Sequence, residues 1–231
     1  MIALEGGSAP VSPHGQRGAV GALIAVVAAH GGAGATGAAI ALARGWGAEA
    51  WLIDADLAGG DAHARLGLET RAADAGLAAR RGGGDDALGG GRRVEFGWLL
   101  EVCPRPELAW LIRDAAVRDA VRAAMRSASC VVVDAARSVG PALEPVVDAD
   151  AVVLVAHATR SDALERTRRR LVRAGVEERR IIECATAPTL ADRVAGRLRR
   201  SPALIDVVAA DDRLLLLVEA RLAAVGARDR T

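Results

Sequence analysis

The chain contains no lysine, no tyrosine and no asparagine. Its 30 basic residues are therefore all arginines, set against 29 acidic residues for a net charge of +1. That balance gives no global bias toward nucleic acid or a membrane surface. Aromatic residues are scarce, limited to Phe96 and four tryptophans. A very GC-rich genome produces this bias, which accounts for some of the missing residue types. The three cysteines, Cys103, Cys130 and Cys184, are odd in number and far apart, with no CxxC pair. They exclude a disulfide framework and read as reduced thiols; Cys130 and Cys184 sit in or beside apolar runs. The four histidines form no zinc pattern. No apolar run approaches the ~20 residues a membrane helix needs. Residues 1–21 have no basic start and are rich in Gly, Ser and Pro, so they read as a flexible tail rather than a signal peptide. The expected location is the cytoplasm.

Hydrophobic residues make up 52% of the chain, enough for one sizeable core over residues 22–231. Apolar runs read as strands at Ala22–Ala28, Trp51–Ile53, Val94–Val102, Cys130–Val133, Ala151–Ala156, Ile181–Cys184 and Leu204–Val208. Helices are expected at Thr36–Arg44, stopped by Gly45 and Gly47, and at Asp61–Leu66, Asp114–Arg126, Ser161–Ala174, Leu190–Arg199 and Asp211–Ala224. Asp211 or Asp212 would cap the last helix. Residues 69–93, with two glycine triplets, read as a mobile loop, and Pro104 and Pro106 as a break. The alternation predicts an α/β fold: a doubly wound, mostly parallel sheet of about six to eight strands with helices on both faces.

The strand Ala22–Ala28 runs into Gly31-Gly32-Ala33-Gly34-Ala35-Thr36-Gly37 and then a helix. The next strand ends in Asp54-Ala55-Asp56. Strand, glycine turn, helix, strand and acid together build a phosphate site, because the turn and helix N-terminus present backbone N–H groups. In a doubly wound sheet Asp134 and His157 would join them at the carboxyl edge.

Two readings compete. Gly32-x-Gly34-x-x-Gly37 matches the dinucleotide fingerprint, with Asp54 about 20 residues on as the ribose acid. A nicotinamide-dependent short-chain dehydrogenase would also need a Tyr-x-x-x-Lys pair, which this composition rules out. The alternative is a degenerate phosphate loop, with Gly31, Gly32 and Gly34 as cradle, Thr36 as the metal hydroxyl and Ala35 where lysine belongs.

The segment from Ala22 to Leu57, with Gly59-Gly60-Asp61 and Leu66-Gly67-Leu68-Glu69 after it, resembles the ParA/MinD family of deviant-Walker P-loop ATPases. Further on, Val131–Asp134, Ala151–Ala156 and Ala209-Ala210-Asp211 look like that family's later landmarks. The departures are Ala29 for the first loop glycine, His30 for the signature lysine, Ala35 for the P-loop lysine and Leu57 for the proline after the second acid. The adenine-reading asparagine has no counterpart near Ala187. A lysine-poor loop of this type is similar to the CpaE/TadZ-like and septum-site-determining-like branch.

The resemblance implies ATP or ADP with Mg²⁺, cradled by Gly31, Gly32, Ala33, Gly34, Ala35, Thr36 and Gly37 with Asp54 beside them. Thr36, Asp56 and Asp134 would serve the metal, partly through water, and Asp56 would be the catalytic acid. It also implies a homodimer acting as a positional or scaffolding factor for pilus-secretion assembly or septum placement, recruited to a pole, septum or inner membrane surface. Losing both lysines costs hydrolysis more than binding, because the transition state concentrates charge. The expected activity is thus weak ATP hydrolysis or none, with an active partition or septum switch as the alternative. Arg137 or Arg160 are the candidates to replace lysine. Arg168–Arg170 and Arg197, Arg199 and Arg200 alternate with acids and lack aromatics, so DNA binding is disfavoured. Leu214–Val218 lacks a basic amphipathic face and reads as a buried closing helix.

Overall fold

The computed structural model describes residues 21–58, 60–68, 88, 91–102, 115–137, 143–186 and 211–228. Seven strands form one sheet: β1 (Ala22–Ala28), β2 (Ala50–Asp54), β3 (Arg92–Val94), β4 (Gly97–Glu101), β5 (Cys130–Asp134), β6 (Ala151–His157) and β7 (Ile181–Thr186). Their order is β3-β4-β2-β5-β1-β6-β7. All neighbours run parallel except the edge hairpin β3–β4. The helices are α1 (Ala35–Trp46), α2 (Ala62–Arg65), α3 (Ala116–Met125), α4 (Leu143–Asp148), α5 (Ser161–Arg173) and α6 (Asp211–Arg228).

The inner strands are apolar on both faces because both faces are covered. Val131, Val133, Val152 and Leu154 pack with α3, α4 and α5 through Val117, Val121, Val146 and Leu171. On the other face Ile24, Val26, Leu52, Val132 and Val153 pack with α1, α2 and α6 through Ile40, Leu42, Ala62, Leu214 and Val218. Leu214 and Val218 pack α6 onto this face, but Leu216 and Leu217 of the same run, expected to be buried, are exposed because they stand on the side of the helix turned away from it. Among the described residues no helix is long and apolar enough to cross a membrane. Cys130 and Cys184 are buried free thiols, and burial pushes both pKa values up, that of Cys184 to about 11.

Several boundaries differ from expectation. Val94–Val102 is not one strand: the chain reverses at Glu95 and Phe96 and pairs Arg93 with Trp98. Gly97 makes this reversal, with φ of +143° and no room for a Cβ against the Ala50 carbonyl. The hairpin's first strand, Arg92–Val94, occupies the end of the span expected as a mobile loop. Gly45 does not stop α1, which runs on to Trp46. Its missing side chain lets Leu215 of α6 close onto α1, and Gly47, at φ +103°, terminates the helix. Gly21, expected in the tail, is buried against Ala128. Helix α4 was not expected at all. The expected loop over most of 69–93, Cys103 and the proline break, and the elements at Leu190–Arg199 and Leu204–Val208 lie outside the described residues. So do residues 1–20, Ala187, Arg197, Arg199 and Arg200.

Candidate functional site

The parallel register aligns the strand ends. Asp54 of β2 lies between Glu101 of β4 and Asp134 of β5, residue against residue. In-register residues of neighbouring parallel strands project to the same face, so three carboxyl groups stand side by side. Their residues are 9%, 1% and 1% exposed for Glu101, Asp54 and Asp134. Burial, and then the charge of Asp134, hold the Asp54 carboxyl well above the usual pKa range. Burial also raises Asp134, with the charges of Asp56 and Asp61 adding to the rise. Glu101 is met by His63 of α2, whose Nδ1 lies 2.5 Å from Oε1.

Asp54 is turned into the protein. Its Oδ1 accepts from the Asp56 N–H at 3.1 Å and its Oδ2 from the Ala62 N–H at 3.2 Å, so it caps α2 from the end of the preceding strand. Gly60 lies so close to the carboxyl that a Cβ there would overlap it. Asp54 is therefore an anchor for the loop, not a group presented to a ribose. Asp56 is half-buried on the outer side, where Oδ1 accepts from the Ala58 N–H at 2.9 Å.

Asp134 presents a different picture. Its Oδ1 accepts from the Ala136 N–H at 3.2 Å, while Oδ2 is buried with no hydrogen-bond partner among the described residues. The Thr36 hydroxyl, in the first turn of α1, is not within hydrogen-bond geometry of either carboxyl but still acts to lower the pKa of both Asp134 and Asp61. Ala136 is the one described non-glycine residue at positive φ, +44°. Its carbonyl accepts from the Ala28 N–H at 2.6 Å, just before the glycine turn.

The glycine turn is held from outside. The Ala29 N–H donates to the Val155 carbonyl at 2.8 Å, and the Thr167 hydroxyl reaches the Ala29 carbonyl at 3.5 Å. The Thr186 hydroxyl donates to the Ala33 carbonyl at 2.9 Å. His30 is folded inward: its Nε2 accepts from the His157 N–H at 3.0 Å and its Nδ1 lies 2.9 Å from the Gly31 carbonyl, which requires the proton on Nδ1. Gly32 and Gly34 have φ of +74° and +91°, conformations that favour glycine. Gly34 is the N-cap of α1 and gives it no side-chain cap. The first N–H groups of α1 thus emerge from a glycine-lined turn, where a Cβ on Gly31, Gly32 or Gly37 would meet nothing. Ala35 is buried.

The sheet edge thus gathers the turn Gly31–Gly37 with Asp54, Asp56, Asp134 and His157. Sequence reasoning missed Asp61, Arg65, Glu101 and Thr186. Arg65 binds Asp61 at 2.7 Å, four residues apart on α2, and this pair holds the Asp61 carboxyl below its ordinary pKa. An acid and a base at that spacing is the signal that could have found them. Of the expected arginines, Arg137 is exposed beyond Asp134, its carbonyl taking a bond from Arg170, and Arg160 is the N-cap residue before α5. Arg168 and Arg169 pair with Glu165 and Arg168 also with Glu178, so this run is largely neutralised by neighbouring acids.

Among the described residues no three His, Cys or carboxylate groups converge closely enough to hold a metal ion by themselves. Thr36 and the partnerless Asp134 oxygen do fit a magnesium ion that takes its other ligands from phosphate and water, as that cation commonly does.

No protein-family model matches the sequence, and no curated protein matches it. Solved structures do match in fold. A protein of Borrelia burgdorferi assigned to plasmid partition, bound to AMPPNP, is 12% identical over 90% of this chain and 99% of that one, with a TM-score of 0.59. The septum site-determining protein MinD from Pyrococcus horikoshii, complexed with Mg-ADP, is 15% identical over 90% and 96%, with a TM-score of 0.53. The kinase domain of the Escherichia coli tyrosine kinase ETK is 18% identical over 82% and 73%, with a TM-score of 0.56. At such identities the likeness establishes the fold alone: this chain has the mostly parallel α/β sheet of those partition and septum-site proteins.

Proposed function

We propose that this chain is a non-canonical nucleotide-binding protein of the ParA/MinD type, related to the CpaE/TadZ-like branch, which binds ATP or ADP with Mg²⁺ weakly and hydrolyses it weakly or not at all. One observation carries the reading. The uncapped start of α1 emerges from a glycine turn beside Thr36 and a buried, partnerless Asp134 oxygen, while the two lysine positions hold a buried Ala35 and an inward-folded His30. Backbone N–H groups of Gly31–Gly37 would take the phosphates, with the helix dipole behind them. Thr36 and Asp134 would hold the magnesium ion, which when bound neutralises phosphate charge. Asp56, beside Asp134 and partly exposed, is the acid suited to orient a water. Asp54 supports the site from beneath by fixing the loop after β2.

A protein that binds nucleotide without efficient turnover suits a positional or scaffolding role. We assign it to a homodimer that recruits pilus-secretion or cell-division machinery to a pole, septum or inner membrane surface. Titration calorimetry of the full chain with Mg-ATP, Mg-ADP and NAD tests the binding. The expected result is weak, magnesium-dependent heat with both adenine nucleotides, none with NAD, and little phosphate release. No affinity for either adenine nucleotide, or tight NAD binding, would overturn the reading. Vigorous turnover abolished by Asp56→Ala would instead establish an active switch. Sedimentation with and without nucleotide tests the dimer.

A further inference from the structure

Resting on the nucleotide reading above, we propose that Arg65 supplies the positive charge facing a phosphate bound at the start of α1, in place of the missing loop lysine. Its position is built in. Asp54 caps the Ala62 N–H at 3.2 Å, Gly60 lies against the same carboxyl, and Ala62 is fully buried on the sheet face shared with α1. These contacts pin the start of α2 to the strand ends, and Arg65 sits one turn further on.

The Arg65 Nε and Nη2 lie 2.8 Å and 2.7 Å from Asp61 Oδ2. Ala62, next to Asp61, packs in one core cluster with Ala35, Ala39 and Ile40 of α1, which sets Asp61 and Arg65 beside the start of that helix; the Thr36 hydroxyl is among the causes that hold the Asp61 carboxyl below its ordinary pKa. The two partners are about equally open, 51% and 49% exposed, so an incoming phosphate can compete with Asp61 without unfolding the helix. A guanidinium carries five N–H donors in a planar fork and can exchange a carboxylate for a phosphate with the same geometry. Asp61 thus holds the cation in reserve. Neither Arg137 nor Arg160 is paired with Asp56, Asp61 or Asp134 among the described residues.

The test is a double-mutant cycle on the full chain, using calorimetry with Mg-ATP and Mg-ADP. Arg65→Ala should weaken Mg-ATP binding by about tenfold or more, the effect of losing one charged hydrogen bond. Arg65→Lys should recover only part of it. Asp61→Asn should do the opposite, tightening binding by releasing Arg65, and that gain should vanish in the Arg65→Ala background. Arg65→Gln, which keeps the side-chain stem, replaces Arg65→Ala if the latter melts early by circular dichroism. Unchanged affinity in a folded Arg65 variant overturns the assignment and leaves the nucleotide reading standing. A gain from Asp61→Asn that persists without Arg65 also overturns it, because it reflects removal of a negative charge alone. A wild-type chain that binds neither nucleotide overturns both.

Discussion

The two successive units β1–turn–α1 and β2–turn–α2 have the same topology and opposite solutions to the same problem. Each must satisfy the N–H groups at the start of its helix. In the second unit the strand ends in Asp54, whose buried carboxyl reaches eight residues along the chain to cap Ala62. In the first unit no side chain caps α1, and the turn is instead held at its carbonyls by Thr167 and Thr186 from other elements. The satisfied helix end is closed. The other is left without a side-chain cap, as the anion site proposed above requires. One architecture thus ends in a capped helix in one place and an uncapped one in the other.

The strongest way to break this contrast is Gly60→Ala. The added Cβ collides with the Asp54 carboxyl and should release the second turn, costing about 3 kcal/mol by urea unfolding. Gly34→Ala strikes the first turn. At φ +91°, with its Cβ 3.2 Å from Thr186 Cγ2, it should cost about 1–2 kcal/mol and abolish nucleotide heat in calorimetry. Asp134→Asn should stabilise the protein. The folded carboxyl has a raised pKa, so its unfavourable contribution appears as pH climbs from the unfolded value through the folded one and persists above it. The amide cannot ionise, so this pH-dependent penalty disappears. We expect a melting midpoint about 2–4 °C higher at neutral pH, with no gain below about pH 4. Thr186→Val is the gentlest probe. It removes the bond to the Ala33 carbonyl for about 1 kcal/mol and should loosen the first turn, leaving the second untouched in hydrogen exchange.

Much of this was legible beforehand. Strand ends marked by acids, as in Ile53-Asp54 and Val133-Asp134, stand out because a buried apolar run stops abruptly at a charge. The glycine turn was equally plain, since few other sequences put so many small residues between a strand and a helix. The capping of α2 by Asp54 was hidden because the bond spans a loop whose path depends on Gly60. The acidic row was hidden because register between strands is a tertiary fact: Glu101 reads as an ordinary strand end until β4 is laid beside β2. The β3–β4 hairpin was masked by a turn, Glu95-Phe96, without glycine or asparagine at its centre. Helix α4 is six residues with a proline inside, too short to show a period.

One strained residue ties the two halves of the site together mechanically. Ala136 holds a left-handed backbone that costs an alanine about 1–2 kcal/mol, and two bonds keep it there: one to the Asp134 carboxyl, one from the Ala28 N–H. It behaves as a cocked joint between the acid that ends β5 and the doorway of the glycine turn. Its N–H and its carbonyl belong to successive peptide units, so the bond to the acid that ends β5 and the bond from the strand that leads into the turn meet at one alanine.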